Sequence, residues 1–353
     1  MKKTRFGIIG TGRISDWVLK GAFLEPRFDA AAVCSRTKDN AEAFALKHGI
    51  PRTFTSVAEM ASDPSIDVIY IGTPNNTHHD LAILCMEHGK HVMCEKPLAS
   101  NAKEVREMIA AAKKNGVVLM EAMISTLSPN FRMVQERLRS LGNIRNYSGV
   151  FCQFSSKFDK LQAILAGRDN SPVPSSFNPD CSGGALMDIG IYPIYPMITL
   201  FGKPKGVKAD ILTCDVPVSD GSMKPVDIHG SVLFEYEGMT ATATYSKIAD
   251  SKLRTEISCE GGILSLDQIH ITRQVEFIPH GAPTSGRSNG PATEDVTVPC
   301  DPDEYLCEFR EFIDVLESGR LESENNSLGN SLAVAETMDE IRRQGGIVFP
   351  ADL

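Results

Sequence analysis

The chain has 353 residues, of which 42% are hydrophobic, 23% charged and 7% aromatic, with nine cysteines and a formal net charge of −9. At roughly 100–200 residues per domain this length makes two domains or one large one, with ample material for a core, and excludes a disulfide-dense mini-protein. The excess of 45 Asp and Glu over 36 Lys and Arg leaves no electrostatic footprint for nucleic acid or an anionic membrane, so the expected partner is a small molecule or another subunit.

Cys34, Cys85, Cys94, Cys152, Cys181, Cys214, Cys259, Cys300 and Cys307 form no C-x-x-C pair; they read as free thiols of a reducing compartment. The start, MKKTRFGIIG, is basic, but its apolar stretch of about four residues is too short for a secretory signal. No apolar run approaches the roughly 20 residues that span a bilayer. A cytoplasmic location without membrane attachment is expected.

In chain order, Phe6 to Ile9 reads as a strand, and Ile14, Trp17, Val18, Gly21 and Ala22 then fall at helical spacing. A strand follows at Ala30 to Cys34, then a helix from about Asp39 to His48, stopped by Gly49 and Pro51. Strands at Val68 to Gly72, His91 to Cys94 and Val117 to Glu121 alternate with helices at about His79 to His88 and Ala102 to Asn115. Such βαβ alternation predicts an α/β fold with a doubly wound parallel sheet over residues 1–122. From about Tyr147 the pattern changes to longer alternating strands, YSGVFCQFSS, GSVLFEYEG and MTATATYSKIA. These predict a mostly antiparallel sheet in a second, α+β domain over 123–353. Helices are expected there at Gly183 to Phe201, Tyr305 to Glu317 and Leu328 to Arg343, with an exposed loop over 280–300.

Gly10-Thr11-Gly12-Arg13-Ile14-Ser15 follows the first strand directly and opens a helix, the setting of a dinucleotide fingerprint. The first glycine allows the tight turn, and the second lets backbone N–H groups approach a pyrophosphate; Ser15 replaces the usual third glycine or alanine. At the end of the second strand, where NAD sites usually place an acid for the ribose 2′-hydroxyl, the chain has Ser35-Arg36. A hydroxyl and a guanidinium suit a 2′-phosphate, so NADP is favoured. The opposing possibility is NAD, with Arg36 solvated and Asp39 reaching the ribose.

Gly72-Thr73-Pro74-Asn75 with His78, Cys94-Glu95-Lys96-Pro97-Leu98, the stretch SGGALMDIGIYPI over 182–194, and the ending GGIVFPADL join the glycine loop in order along nearly the whole chain. Together they resemble the Gfo/Idh/MocA oxidoreductase family, in the branch of dihydrodiol dehydrogenase, NADP-linked xylose dehydrogenase and glucose-fructose oxidoreductase. The resemblance implies an N-terminal Rossmann sheet plus a C-terminal domain with a large open sheet. It also implies Thr73, Pro74 and Asn75 beside the nicotinamide, His78 either starting the next helix or contacting cofactor, Glu95 and Glu121 in the cofactor region, and a cis Lys96–Pro97 bond. Inositol dehydrogenases of the family typically carry histidine where this chain has Tyr192. Many members continue after the last strand of the first domain with an aromatic-Arg-x-x-Pro stretch. Here Ile124-Ser125-Thr126-Leu127-Ser128-Pro129 lacks that arginine.

Asp188 and Tyr192 are four apart and share a face on a helix. A phenol that ordinarily titrates near pH 10 is a poor base, but a nearby cation stabilises the phenolate, and Lys96 is the expected cation. Tyr192 would exchange the proton of a substrate hydroxyl while the carbon beneath exchanges hydride, and Asp188 would orient Lys96 or a substrate hydroxyl. Taken singly, Lys96 could be a solvated charge, Asp188 a helix cap and Tyr192 half-buried packing. No metal-ligand spacing, G-x-S-x-G elbow or Walker loop is present. The expected function is hydride transfer between NADP(H) and a hydroxyl or carbonyl carbon of a sugar, polyol or cyclic diol. The alternative is a regulator of the same fold that binds NAD(P) without turnover. A homodimer or homotetramer through the C-terminal sheet is expected.

Overall fold

A computed structural model of the chain describes residues 3–280 and 292–353; residues 281–291, most of the expected loop, lie outside the described residues. The chain begins with β1 (Thr4–Ile9), α1 (Arg13–Ala22), β2 (Phe28–Cys34), α2 (Lys38–His48), β3 (Thr53–Phe54) and α3 (Val57–Ser62). It continues through β4 (Val68–Ile71), α4 (His78–Glu87), β5 (His91–Glu95), α5 (Ala102–Asn115) and β6 (Leu119–Ala122). Then come α6 (Pro129–Leu138), β7 (Ile144–Cys152), α7 (Phe158–Leu165), α8 (Ile191–Phe201), β8 (Gly206–Pro217), β9 (Met223–Glu235) and β10 (Thr240–Ser246). The last elements are β11 (Thr255–Cys259), β12 (Gly262–Leu266), β13 (Val275–Pro279), β14 (Glu294–Asp295), α9 (Leu306–Glu317) and α10 (Leu328–Gln344).

The first sheet is parallel throughout, in the order β3-β2-β1-β4-β5-β6, the doubly wound dinucleotide order. The central strand β4, Val-Ile-Tyr-Ile, is buried along its whole length because helices cover both faces. Thr37, Ser56 and Asn101 cap α2, α3 and α5 by accepting a backbone N–H, and Gly49 and Gly116 end α2 and α5 in the left-handed region.

The chain divides into two units, Met1–Leu127 with Asp301–Ala335, and Ser128–Cys300 with Glu336–Leu353. This departs from a cut at 122/123, since a C-terminal segment returns to the first unit. The cause is aromatic packing: Phe309 of α9 lies 5.6 Å from Phe6, 5.2 Å from Phe28 and 6.1 Å from Tyr70, ring centre to ring centre. Gly21 permits the approach of α9, because a Cβ there would come 2.6 Å from the backbone nitrogen of Leu306.

The second unit holds an eight-stranded sheet in the order β14-β13-β12-β11-β7-β10-β9-β8, antiparallel except for the pair β10 and β7. Against it packs the helical stretch Pro179–Phe201, where Tyr147 of β7 donates to the carbonyl of Pro193 at 2.7 Å. This stretch corrects the expectation about apolar runs: its 23 residues are long and apolar enough for a membrane span by composition. With 72% of that window buried inside the protein, it reads as a core helix.

Phe309→Ala is expected to destabilise the first unit by about 3–5 kcal/mol, the cost of emptying a fully buried aromatic site. Urea unfolding followed by circular dichroism measures this, and a loss under 1 kcal/mol would show that α9 is not part of that core.

Candidate active site

In the first unit the predicted residues collect where the parallel strands end. Gly10 leaves β1 with φ +102°, and a Cβ there would sit 2.4 Å from the carbonyl oxygen of Gly72, so the turn admits no side chain. Gly12 precedes α1, where a Cβ would meet nothing within 4 Å and no side chain caps the helix. The first N–H groups of α1 thus have no side-chain cap and the space beside Gly12 is open, which suits a pyrophosphate. Ser15 packs under this loop, its hydroxyl buried without a hydrogen-bond partner, 2.7 Å from where a Cβ on Gly72 would lie. The side chains of Thr11 and Ser35 meet at 3.3 Å, joining the glycine loop to the end of β2. Arg36 and Asp39 are exposed, and Arg13 lies over the Trp17 ring at 4.8 Å, with Ile14 half-buried beside it in α1. These residues fit a dinucleotide.

After β4 and β5, Thr73, Asn75 and Lys96 are half-buried and Pro74 is exposed, and the Lys96–Pro97 peptide is cis. His78 is fully buried at the start of α4, with Nδ1 2.9 Å from the Pro97 carbonyl and Nε2 2.9 Å from the Thr73 carbonyl. Both partners accept, so the neutral ring donates to one and the protonated ring to both; burial holds the imidazole below its ordinary value. The ring ties the loop after β4 to the turn after β5.

Glu121 is buried in β6 and accepts from the Leu98 N–H at 3.0 Å. Glu95 is buried and accepts from the Tyr70 hydroxyl at 2.7 Å. Burial raises both carboxyls, Glu121 to about 7. His78, Glu95 and Glu121 thus stand behind the loops as supports of the Lys96 turn, not on its exposed edge. Met123 to Ser128, where the family arginine is missing, is a buried turn in which Thr126 donates to Asn326 at 2.5 Å.

In the second unit, two glycines precede the helix for a visible reason. A Cβ on Gly183 would lie 2.2 Å from the Ser175 carbonyl oxygen, and one on Gly184, at φ +136°, 2.1 Å from Oδ1 of Asp227. Asp227 is buried, and its Oδ2 accepts from the Leu186 N–H at 2.5 Å. Burial pushes its carboxyl up to about 6. A wide, π-type turn over Leu186–Gly190 leads into α8, so regular helix begins later than Gly183.

Asp188 lies in that turn and Tyr192 in the first turn of α8. Asp188 is ion-paired with Lys247. The Tyr192 ring is edge-on to Phe151 at 5.4 Å and to His270 at 5.7 Å, and those two rings are 4.1 Å apart. Lys247, Asp227 and His270 were not indicated by the sequence. Lys247 ends an alternating strand, where lysine reads as solvated, and only its position at the strand end offered a signal.

A carboxyl raised from 4.5 to about 7 in the fold stabilises the protein while protonated. That contribution is full below pH 4.5 and is lost as pH rises through about 7, and the part lost between pH 5 and 8 amounts to roughly 2–3 kcal/mol. Between pH 5 and 8, Glu121→Gln is expected to lose less stability than the wild type by that amount in urea unfolding. Parallel pH dependences would contradict the placement.

Residues 4–123 match a family described as an oxidoreductase family with an NAD-binding Rossmann fold, and residues 131–265 match the GFO/IDH/MocA C-terminal domain. Scyllo-inositol 2-dehydrogenase (NADP(+)) of Bacillus subtilis is 41% identical over 348 residues, covering 99% of each chain. Trans-1,2-dihydrobenzene-1,2-diol dehydrogenase of Xenopus laevis, from the branch the motifs indicated, is 33% identical over 359 residues, covering 98% of this chain and 99% of its own. A solved levoglucosan dehydrogenase, in complex with NADH and levoglucosan, shares the fold with a TM-score of 0.82 at 20% identity over 98% of both chains. With both domain types matched in order and relatives alike over the full length, the chain belongs to the Gfo/Idh/MocA family of NAD(P)-dependent oxidoreductases.

Proposed function

We propose that the chain is an NADP-dependent dehydrogenase of a cyclic polyol, sugar or cyclic diol, with Tyr192 as acid and base and Lys96 as the assisting cation. The observation that carries this reading lies along one helix. From Ser182 to Ile198 every residue is buried except Asp188 and Tyr192. Packing alone would fill such a helix with apolar side chains; a carboxylate and a phenol at its two open positions call for a polar ligand.

When bound, a nicotinamide would supply the hydride acceptor for the carbinol carbon, or the donor in the reverse direction. The Tyr192 phenolate takes the proton that the substrate hydroxyl gives up, and the resulting phenol returns it when a carbonyl is reduced. The Lys96 ammonium stabilises the negative charge that develops on that oxygen. Asp188 accepts a hydrogen bond from a second substrate hydroxyl, which polyols and cyclic diols possess. Arg36 and Ser35 receive the 2′-phosphate at the end of β2, since no acid occupies that strand end, and the Bacillus subtilis relative is named for NADP(+). A regulator that only held the dinucleotide would have no use for Asp188 and Tyr192. The second sheet, where Leu212 is 52% and Leu233 47% exposed, supports self-association as a dimer or tetramer.

NADP reduction across inositols, aldoses and cyclic diols tests the reading, and no turnover on the whole panel overturns it. Tyr192→Phe is expected to lower kcat at least 100-fold, about 3 kcal/mol, with folding and NADP binding unchanged. Arg36→Ala is expected to raise KM for NADP at least tenfold and leave that for NAD nearly unchanged; equal effects on both would return the choice to NAD.

A further inference from the structure

Lys247 directly follows β10, yet its side chain is only 3% exposed. Its ammonium pairs with Oδ2 of Asp188, donates to the Ser176 carbonyl at 3.3 Å and lies 4.3 Å from the centre of the Phe177 ring. Its backbone is held at both ends: the N–H donates to the Ile228 carbonyl and the carbonyl accepts from the Ser155 N–H, each at 2.9 Å. An ammonium leaves water only where acceptors take over its N–H groups. Asp188, by contrast, is 39% exposed. The pair therefore has a dry end at Lys247 and a wet end at Asp188, one turn ahead of Tyr192.

The geometry points to Lys247 as a positioning residue for the reaction: it holds the Asp188 carboxylate ionised and in one orientation, as a ready acceptor for a substrate hydroxyl. The inference rests on the reading of Asp188 and Tyr192 given above. It also resolves a conflict within that reading. An uncompensated carboxylate one turn from Tyr192 would oppose formation of the phenolate, whereas a carboxylate neutralised by Lys247 does not. Asp188 can thus serve the substrate without resisting the proton transfer.

Steady-state kinetics of the wild type, K247M, D188N and K247M/D188N, with NADP and the best substrate of the panel, tests this. K247M is expected to lower kcat at least 30-fold while the KM for NADP stays within twofold. The double variant is expected to match D188N within threefold, since Lys247 acts through Asp188. A purely structural lysine would instead give losses that multiply in the double variant. K247M within threefold of the wild-type kcat, or multiplying losses, overturns the inference while leaving the dehydrogenase reading intact. A wild type inactive on the whole panel overturns that reading, and this inference with it. Removing one partner of a buried pair can prevent folding; if K247M does not fold, D188N against the double variant decides, and a double variant more than threefold slower than D188N overturns the inference.

Discussion

The carboxylate of Asp227 holds the start of the helical stretch that carries Asp188 and Tyr192. It is almost wholly shut off from water, at 1% exposure, and takes the N–H of Leu186, one of the backbone donors that a helix start leaves unsatisfied. To bring β9 that close, Gly184 must carry no side chain, while Gly183 makes room for the Ser175 carbonyl. The helix then runs beneath the sheet with Gly190 against the Tyr245 ring, where a Cβ would come within 3.0 Å. Asp188 and Tyr192 are left facing outward because everything around them is committed inward.

A similar logic shapes the other unit with different residues. Behind Lys96 lie three buried acids, Glu95, Glu121 and Glu308, and burial raises all three carboxyls. Burial thus disfavours the ionised form of each. What they supply instead is geometry: Glu121 grips the Leu98 N–H, Tyr70 grips Glu95, and His78 joins Thr73 to Pro97. The lysine is carried on a turn fixed from three sides. Loops at strand ends are usually the pliable part of such a fold, and here buried polar groups stiffen one of them.

Much of this was legible in the sequence because local pattern reports burial. The alternation of short apolar runs and helices in the first 122 residues, the glycine loop, and the spacing of Asp188 and Tyr192 all lie within windows of a few residues. What stayed hidden is long-range. Lys247 and Asp188 are 59 positions apart, and Asp227 and Leu186 are 41 apart; nothing in either local stretch names the other. The return of α9 to the first sheet is the extreme case, since Phe309 meets Phe6 across some three hundred residues. Periodicity marks a face as buried, and it is silent about what buries it. The π-type turn at Leu186–Gly190 was missed for a related reason, as composition does not distinguish it from ordinary helix.

The net charge of −9 poses a last question, because the cofactor phosphates and the developing alkoxide are both negative. Three cations bear on it, and they are not equivalent. Lys247 is spent inside its own unit, neutralised by Asp188 and shielded by Phe177, so it offers no charge to a ligand. Arg36 is exposed and Lys96 half-buried. In water the charge of Arg36 is weak at a distance and strong only at contact, which would suit the phosphate contact proposed for it. Lys96 is partly shielded from water, where a unit of charge would act more strongly on the oxygen it is proposed to serve. On the proposed reading, the dinucleotide phosphates and the alkoxide would be left to Arg36 and Lys96, because Lys247 is already spent on Asp188.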